Sequence, residues 1–464
     1  DDSGPSSLEP LMSATLTAGV VYTLITTCYT ASSGTTTDNY TWNITPPAGG
    51  QLSTVQTGTL QWFTTASGGS PIGTGSPFIP ILLAGSGIAT NTSTGVYTFY
   101  AGCSNNPTCR TATTYVIGAP GQWIGGTSTA WANAANWCGG VPNLTTDGTI
   151  IAGTPYSPIV GTGVSAVKKL TINSGAALTV TGATLQIADS IKATNSITAI
   201  NGTIELAGSA TQTISGSSFT GKEIKNLIIS NNVNVSATAN DTLRINGALS
   251  FGGNTKAFNS NDNVTIVSSA TGTGRIADIT NGGANSGNTI TGKFVIERYI
   301  PARRAWRLLT APISSSQTIS AAWQEGGKDT YLGAMHNPKP GYGTHITGGA
   351  VNNGVNGYDF GPNSASIFSY NGTSWNQLPV GGTSGADVNA KQGWMLFVRG
   401  DRTTNLSQAV AAVTSPTVLR TKGNIFTGTK TVSSLVSGFN VIGNPYASTI
   451  NFKNLGLSSV NDAY

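Results

Sequence analysis

Charged side chains are scarce in this sequence. Only 9% of its 464 residues are charged, whereas an ordinary globular domain carries about 25%. Glutamate occurs five times and histidine twice. Coiled coils and helix bundles are rich in Lys, Glu and Arg, so this composition argues against both. The net charge of +5 is spread thinly, with one short arginine cluster, which argues against a nucleic-acid-binding protein.

Long apolar runs are also missing. The longest, residues 78–89, is interrupted by Pro80, Gly85 and Gly87, and a membrane-spanning helix needs about 20 apolar residues. We therefore predict no transmembrane segment. The first residues do not look like a signal peptide and the last ones show no recognisable terminator, so we interpret the sequence as a piece of a longer protein.

The residues that replace the charged ones are typical of strands and turns. The chain has 60 glycines and is rich in Thr, Val, Ile, Tyr and Asn. It also has 9 Trp, 14 Tyr and 13 Phe, and disordered chains are poor in aromatic residues. We predict a secreted all-β protein, and the length favours roughly three domains.

All four cysteines, Cys28, Cys103, Cys109 and Cys138, lie in the first third of the chain. No CxxC motif accompanies them, so we expect two structural disulfides, no metal site and an extracellular location. In one pairing Cys28 bonds Cys103, with Trp42 between them as in immunoglobulin-like sandwiches, and Cys109 bonds Cys138. In the other pairing Cys103 and Cys109 close a short loop, and Cys28 bonds Cys138.

The spacing of strands and turns divides the chain into four parts. We predict an Ig-like β-sandwich for residues 1–118 and a Trp-rich junction for residues 119–146. A right-handed β-helix or β-solenoid is predicted for residues 147–288. Residues 289–464 are predicted to form a further β-sandwich-like domain whose C-terminal segment is incomplete.

The solenoid prediction depends on recurring triplets in the order apolar, polar, apolar. The first three are residues 170–172, 178–180 and 185–187, and Gly, Asn or Ser lies between them. Strands this short cannot form a core alone, but stacked copies bury a continuous one. A second β-sandwich with long hairpins is the alternative.

Two clusters contain candidate ligand contacts. Trp123, Trp131 and Trp137 could stack on sugar rings, but large aromatic residues beside Gly and Pro more often close a hydrophobic layer. Arg303 and Arg304 belong to a group of four arginines that could hold carboxylates or sulfated glycans. The simpler interpretation is that these arginines pair with nearby acids and lie along aromatic rings.

Catalytic groups are hard to assemble from this sequence. A glycosidase needs two carboxylates flanking the scissile bond, and Glu205 and Glu223 of the predicted solenoid have no cluster of aspartates beside them. His336 and His345 lack a preceding G-x-S-x-G nucleophile motif. The oxygen-rich run 259–263 lacks the spaced carboxylates of a strong Ca²⁺ site and is predicted to be a turn. We expect no enzymatic activity, no metal and no cofactor.

Several segments resemble modules of large secreted proteins of the bacterial type IX secretion pathway. Residues 61–75, QWFTTASGGSPIGTG, are similar to their repeated Ig-like modules. Residues 131–142, WANAANWCGGVP, followed by LTINSGA at 170–176, are similar to the stretch that opens their β-solenoid modules. RYIPARRAWRLLTAP at 298–312 and FNVIGNPY at 439–446 resemble parts of a domain near their C-terminal ends. The resemblance implies an adhesin-like, secreted or cell-surface protein, although such modules also occur in gliding proteins and in accessory arms of enzymes.

The first functional hypothesis is a non-enzymatic, extracellular structural or adhesive protein built as a rod of β modules. Its expected partners are copies of itself, in a fibre assembled head to tail by strand pairing, or surface glycans. The alternative is a secreted carbohydrate-binding or polysaccharide-processing protein. Ser190 and Thr242 are O-glycosylation candidates, because each lies in an Asp-Ser/Thr-apolar tripeptide that the resembled bacteria glycosylate.

Overall fold

The computed structural model describes residues 58–378, 381–390, 392–407, 415–433 and 435–456. These belong to one compact unit, Gly58–Tyr464, whereas the other unit, Asp1–Thr57, lies outside the described residues and includes Cys28. The described chain is nearly all β, which confirms the predicted fold class, and about 5% is helical. No helix in this part of the chain is long and apolar enough to cross a membrane.

An antiparallel sheet comes first in the described chain. It contains β1 (Leu60–Phe63), β2 (Gly73–Thr74), β3 (Gly95–Cys103) and β4 (Asn106–Ile117), in the order β2-β1-β3-β4. Ile88, Phe99 and Ile117 form its small core, and Trp62 stacks on Phe78 with ring centroids 4.5 Å apart. This sheet is the described part of the domain predicted for residues 1–118, and its Ig-like topology stays a prediction.

A β-solenoid of about five turns occupies residues 148–266, as the triplet pattern predicted. On one side of it, successive strands begin at Gly148, Leu170, Ile191, Gln212 and Val233, so one turn takes 21 or 22 residues. Neighbouring turns pair in parallel, and their inward side chains stack into one core. Each turn buries its apolar residues only against its neighbours, as in repeat proteins generally.

The strands of this region form one large parallel sheet and two four-stranded parallel sheets, ordered β11-β9-β6-β5 and β13-β15-β18-β23. They are β5 (Gln122–Trp123), β6 (Gly148–Ile150), β7 (Ile159–Val160), β8 (Val164–Val167), β9 (Leu170–Ile172), β10 (Leu178–Ile187), β11 (Ile191–Lys192), β12 (Ile197–Leu206), β13 (Gln212–Ile214), β14 (Phe219–Ile229), β15 (Val233–Val235), β16 (Leu243–Ile245), β17 (Ala248–Phe251), β18 (Ala257–Asn259), β19 (Val264–Ile266), β20 (Ser268–Ser269), β21 (Gly272–Thr273), β22 (Arg275–Ile276), β23 (Thr289–Thr291) and β24 (Lys293–Ile300). The short pair β20 and β21 is an antiparallel hairpin.

Corners of the solenoid lie between triplets. In β10, buried and half-buried residues alternate at both ends, while Thr181 and Gly182 in the middle are exposed. Gly182 has a φ of +67°, in the left-handed region that glycine adopts without strain. The strand therefore supplies two of the predicted triplets, one on each side of a corner, and β12 repeats the same burial pattern.

The segment predicted as a Trp-rich junction packs against the first turn of the solenoid. Its strand β5 pairs in parallel with β6, and Trp123, Trp131 and Trp137 belong to the same hydrophobic core as the coils. A 3₁₀ turn at Ala134–Asn136 places Asn136 in a buried position between them. The tryptophans thus cover the first end of the core.

The C-terminal region has its own core and shares one sheet with the solenoid. Its elements are β25 (Ala305–Leu309), β26 (Gln317–Thr318), α1 (Ile319–Trp323), β27 (Ile367–Tyr370), β28 (Trp375–Asn376), α2 (Gly382–Gly385), β29 (Asp387–Val388), β30 (Trp394–Val398) and β31 (Thr417–Asn424). We call the antiparallel sheet ordered β25-β30-β27-β28 the cap sheet. Further 3₁₀ turns lie at Gly216–Ser218 and Phe452–Asn454.

Strand β24 joins the two regions. It pairs in parallel with β19 on one side and in antiparallel with β31 on the other, the latter over all eight of its residues. The last turn therefore extends past the boundary predicted at residue 288. β31 covers β24 and closes this edge of the large sheet, whereas β23 is the outer strand of its four-stranded sheet.

Candidate functional site

The three candidate tryptophans are almost completely buried. Trp123, Trp131 and Trp137 are 0%, 1% and 3% exposed, and Trp137 packs edge-on against both of the others. The indole N–H of Trp123 donates to the Tyr156 carbonyl at 2.6 Å. That of Trp137 donates to the Trp131 carbonyl at 2.8 Å. Such rings cannot stack on a sugar, so their role is to pack the core.

The described cysteines do not form the expected disulfides. Cys103, Cys109 and Cys138 are free thiols, and Cys28 lies outside the described residues. The prediction of Cys103–Cys109 and Cys109–Cys138 disulfides is therefore wrong. The register pairs Cys103 with Asn106 and not with Cys109, and the Cys138 thiol donates to the Gly118 carbonyl at 3.1 Å.

The two solenoid glutamates lie on different sides of a corner. Glu205 accepts hydrogen bonds from Gln186 Nε2 at 2.9 Å and Ser230 Oγ at 2.8 Å, on neighbouring turns. Glu223 lies in the other triplet column, opposite Arg244 of the next turn. Each carboxylate ties adjacent turns together, and the register does not bring the two into one site.

Glu223 begins a ladder of alternating charge that runs from the solenoid into the C-terminal region. Its members are Glu223, Arg244, Glu297, Arg420, Glu325 and Lys339, and we call it the charge ladder. Arg244 lies 3.3 Å from Glu223 and 3.6 Å from Glu297. Arg420 is opposite Glu297 and binds both oxygens of Glu325, at 2.9 and 2.7 Å.

Glu297 is the most buried carboxylate of the charge ladder, at 3% exposed. Burial raises its pKa, and the nearby Arg244 and the backbone N–H of Ser268 offset only part of that effect. Glu297 also lines a cavity of about 780 Å³ between the last turn, β25 and residues 440–450. The cavity has the volume of a small-molecule site, but its lining holds a single carboxylate, whereas two-carboxylate hydrolysis needs a second.

A second polar cluster is enclosed within the C-terminal core. Asp329, His345, Asp359 and Arg402 are each 0% exposed. Arg402 binds both oxygens of Asp359, at 2.7 and 3.0 Å, and lies 3.4 Å from Asp329 Oδ1. His345 Nδ1 approaches Asp329 Oδ2 to 2.7 Å without hydrogen-bond geometry. We call these four residues the buried charge cluster.

The ligand atoms of Asp329, His345 and Asp359 lie within 4.8 Å of one another, a spacing that a metal ion could use. Both oxygens of Asp359 are already occupied, because they also accept from the backbone N–H groups of Asp329 and Ile346. The Arg402 guanidinium supplies the positive charge that a metal would bring. This arrangement fits a structural ion-pair network better than a metal centre.

The asparagine-rich run at 259–263 is a corner of the solenoid. Asn261 and Asp262 both have positive φ angles, of 46° and 61°. The amide of Asn261 donates to the Val235 carbonyl and that of Asn263 to the Ser236 carbonyl, each at 2.7 Å. These side chains bond to the preceding coil of the solenoid, and residues 259–263 form a turn at a corner, as the sequence predicted.

The outer face of the cap sheet carries aromatic residues that the sequence analysis missed. Trp306 is opposite Phe397 and their ring centroids are 5.2 Å apart, while Phe368 lies 5.7 Å from Trp306. Strand β30, WMLFV, is apolar on both sides, so its sequence has no polar–apolar alternation that would mark this face. Of the predicted arginines, Arg303 is exposed, and Arg304 is half-buried near Arg399.

Ser190 and Thr242 are both half-buried in the solenoid. Thr242 follows Asp241, whose carboxylate accepts from Ser215 Oγ and the Ser217 N–H, both at 2.6 Å. Glycosylation of Ser190 and Thr242 stays a prediction.

One family described as "Domain of unknown function (DUF8693)" matches residues 122–211, about one-fifth of the chain. This span begins at β5 and ends before β13, so it comprises the Trp-covered end and the first turns of the solenoid. The search of curated proteins returned no match. The search of solved structures also returned none.

Proposed function

We propose that this chain is a non-enzymatic, extracellular structural and adhesive protein in which the solenoid serves as a stiff spacer. The observation that carries the proposal is the continuity of one sheet from the solenoid turns into the C-terminal region through β24 and β31. A hinge between the two would have to break eight paired positions at once. The charge ladder crosses the same junction and adds ion pairs to it.

The non-enzymatic part of the proposal draws on how the carboxylates are used. Glu205 and Glu223 connect solenoid turns, and Glu325 is held by Arg420. Asp359 accepts hydrogen bonds inside the buried charge cluster. A carboxylate engaged in this way is poorly placed to exchange protons with a substrate.

The extracellular location draws on the low charge content and on the resemblance to type IX secretion substrates. Assembly into a fibre by strand pairing remains part of the proposal, with one restriction from the fold. β31 covers the edge of the large sheet, so a fibre would have to pair through another outer strand, such as β23.

Electron microscopy of the native material tests the proposal. We expect straight particles, either single rods or filaments, that resist protease digestion along the solenoid. Particles that bend at the junction between β24 and β25 would contradict a stiff spacer. Release of reducing sugar from a polysaccharide panel would contradict the non-enzymatic part.

The second candidate function is carbohydrate binding. The exposed aromatic residues on the outer face of the cap sheet favour it, since Trp306 is 46% exposed and Trp375 38% exposed. A glycan array separates the two candidates: binding confined to glycans would favour the second, and attachment to cells or to other copies of the chain without glycan binding would favour the first.

A further inference from the structure

The register of the cap sheet places a set of apolar side chains on one surface. Leu396 and Val398 of β30 point into the C-terminal core, so the residues that alternate with them face outward. Pairing then brings outward residues of neighbouring strands side by side. We call the surface formed by Trp306, Leu308, Phe368, Tyr370, Trp375 and Phe397 the aromatic face.

The aromatic face is partly open to solvent. Trp306 and Trp375, on the two outer strands of the cap sheet, are 46% and 38% exposed. Tyr370 and Trp375 have ring centroids 5.1 Å apart. Partly exposed aromatic rings on neighbouring strands offer stacking surfaces to partly apolar ligands, and the apolar faces of pyranose rings have this character.

Arginines adjoin one end of the aromatic face. Arg304 lies two residues before Trp306, and Arg399 two residues after Phe397, so both follow directly on the paired positions of β25 and β30. The Arg399 guanidinium lies over the Phe397 ring at 4.9 Å. Arg303 beside them is exposed and forms no ion pair with any described residue.

Arg399 has an unsatisfied donor at this position. It is 7% exposed, and its Nη1 has no hydrogen-bond partner among the described residues. Burial and the neighbouring positive charge of Arg304 lower the pKa of Arg399 to about 10, and the carboxylate of Asp359 opposes part of that shift. A carboxylate at this end would accept from the guanidinium donors and offset the repulsion between the two arginines.

We infer that the aromatic face binds an acidic polysaccharide, with Trp306 stacking on a sugar ring and the arginines at 303, 304 and 399 holding the carboxylate of a uronic acid. The inference rests on the proposed adhesive function and names its ligand class. It also moves the predicted sugar contacts from the buried tryptophans of the solenoid to the cap sheet, while keeping Arg303 and Arg304.

Binding of three soluble polymers to the whole chain tests this inference. The probes are polygalacturonate, neutral dextran and dextran sulfate, measured by calorimetry at fixed ionic strength. We expect polygalacturonate to bind most tightly. Trp306→Ala and the double variant Arg303→Gln, Arg304→Gln should each weaken that binding about tenfold, equivalent to about 1.4 kcal/mol. Tyr331→Ala and Lys192→Gln are the controls, because both residues are exposed and lie outside the aromatic face, and these variants should bind like the wild type.

Footprinting of the unmodified chain gives a second readout that does not depend on variants folding. Polygalacturonate should protect Trp306 from hydroxyl-radical oxidation and leave Tyr331 unprotected. Equal or tighter binding of dextran sulfate would overturn the inference, since it would show attraction to any polyanion. Wild-type binding that survives both sets of substitutions would overturn the site, and absence of binding to all three polymers would overturn the ligand class. The binding results leave the proposed spacer function unaffected, because particle shape in electron microscopy tests that function separately.

Discussion

Glu297 of the last solenoid turn lies directly opposite Arg420 of β31, in the antiparallel pair that joins the solenoid to the C-terminal region. Arg244 of an earlier turn approaches Glu297 from the other side, and Arg420 also holds Glu325. One arginine therefore faces two buried carboxylates that belong to different parts of the fold. This contact makes the junction a place where stability and rigidity can be tested together.

Replacing Arg420 with Met should destabilise the junction. The change leaves Glu297 and Glu325, which are 2% and 7% exposed at their side chains, without their shared partner. Removing one member of a buried ion pair costs about 3 kcal/mol, because the remaining charge stays buried. Urea unfolding measures the loss.

Lys339→Met is the control, since Lys339 contacts the same Glu325 at 4.0 Å but is 57% exposed, and it should change stability by less than about 0.5 kcal/mol. Equal effects of the two variants would contradict the importance of the Arg420 contacts.

The stability contributed by Glu297 should fall as pH rises. Burial raises the pKa of this carboxyl above its ordinary value, so the folded state binds its proton more tightly than the unfolded chain does. The contribution is therefore fully present below the ordinary pKa of a glutamate and is lost as pH rises through the raised folded-state pKa. The free energy of unfolding of the wild type, minus that of Glu297→Gln, should decrease from pH 4 to pH 7. A difference that stays constant or increases over this range would show that the arginines outweigh burial.

The solenoid pattern predicts that alanine substitutions at two adjacent residues lower the free energy of unfolding by unequal amounts. Leu227 is fully buried in β14, whereas its neighbour Ile228 is half-buried on the outer side. Leu227→Ala should cost about 3 kcal/mol through lost burial and the cavity that remains. Ile228→Ala should cost under about 1 kcal/mol, since its side chain faces outward. Thermal and urea unfolding of the two variants compare them, and a larger loss at Ile228 would contradict the register.

The solenoid repeat could be predicted from the sequence because each triplet shows its pattern within a few adjacent residues. In a triplet such as 185–187, the order apolar, polar, apolar indicates which side chains face inward, and neighbouring turns repeat this pattern. The extent of the solenoid was less readable. Strand β5 and the last turn, β24, lack the short spacing of the central triplets, and their membership depends on pairing with β6 and β19.

The candidate sites depend on contacts between distant parts of the chain, and this explains what the sequence analysis missed. Arg420 and Glu325 are 95 residues apart, and the partner of Trp306 across the cap sheet is Phe397. The arginines were found as a cluster because they are adjacent in sequence. The neighbouring aromatic face was not found, since its members come from four separate strands. The tryptophans of 123–137 were noticed because they are close together, and their burial follows from the core that they cover.

Free cysteines give a direct test of the corrected disulfide prediction. Cys109 is exposed on β4 and carries a free thiol, so Cys109→Ser should leave the melting temperature unchanged. Loss of a structural disulfide would instead cost about 2–5 kcal/mol. Titration with a thiol reagent under native conditions should modify Cys109 faster than Cys138, which is half-buried and bonded to the Gly118 carbonyl. A large drop in melting temperature, or no reactive thiol, would restore the disulfide.

The buried charge cluster should depend on the shape of the Arg402 side chain as well as on its charge. Its guanidinium donates to the His336 and Thr344 carbonyls, at 2.7 and 3.1 Å, and to both oxygens of Asp359. Lysine keeps the charge but has a single ammonium group, which cannot reach all of these acceptors from one position. Arg402→Lys should therefore lower the free energy of unfolding by about 3 kcal/mol, since buried acceptors lose their donors. Arg303→Lys, at an exposed arginine, should change it by less than about 0.5 kcal/mol, and a similarly small effect at Arg402 would show that charge alone holds the cluster.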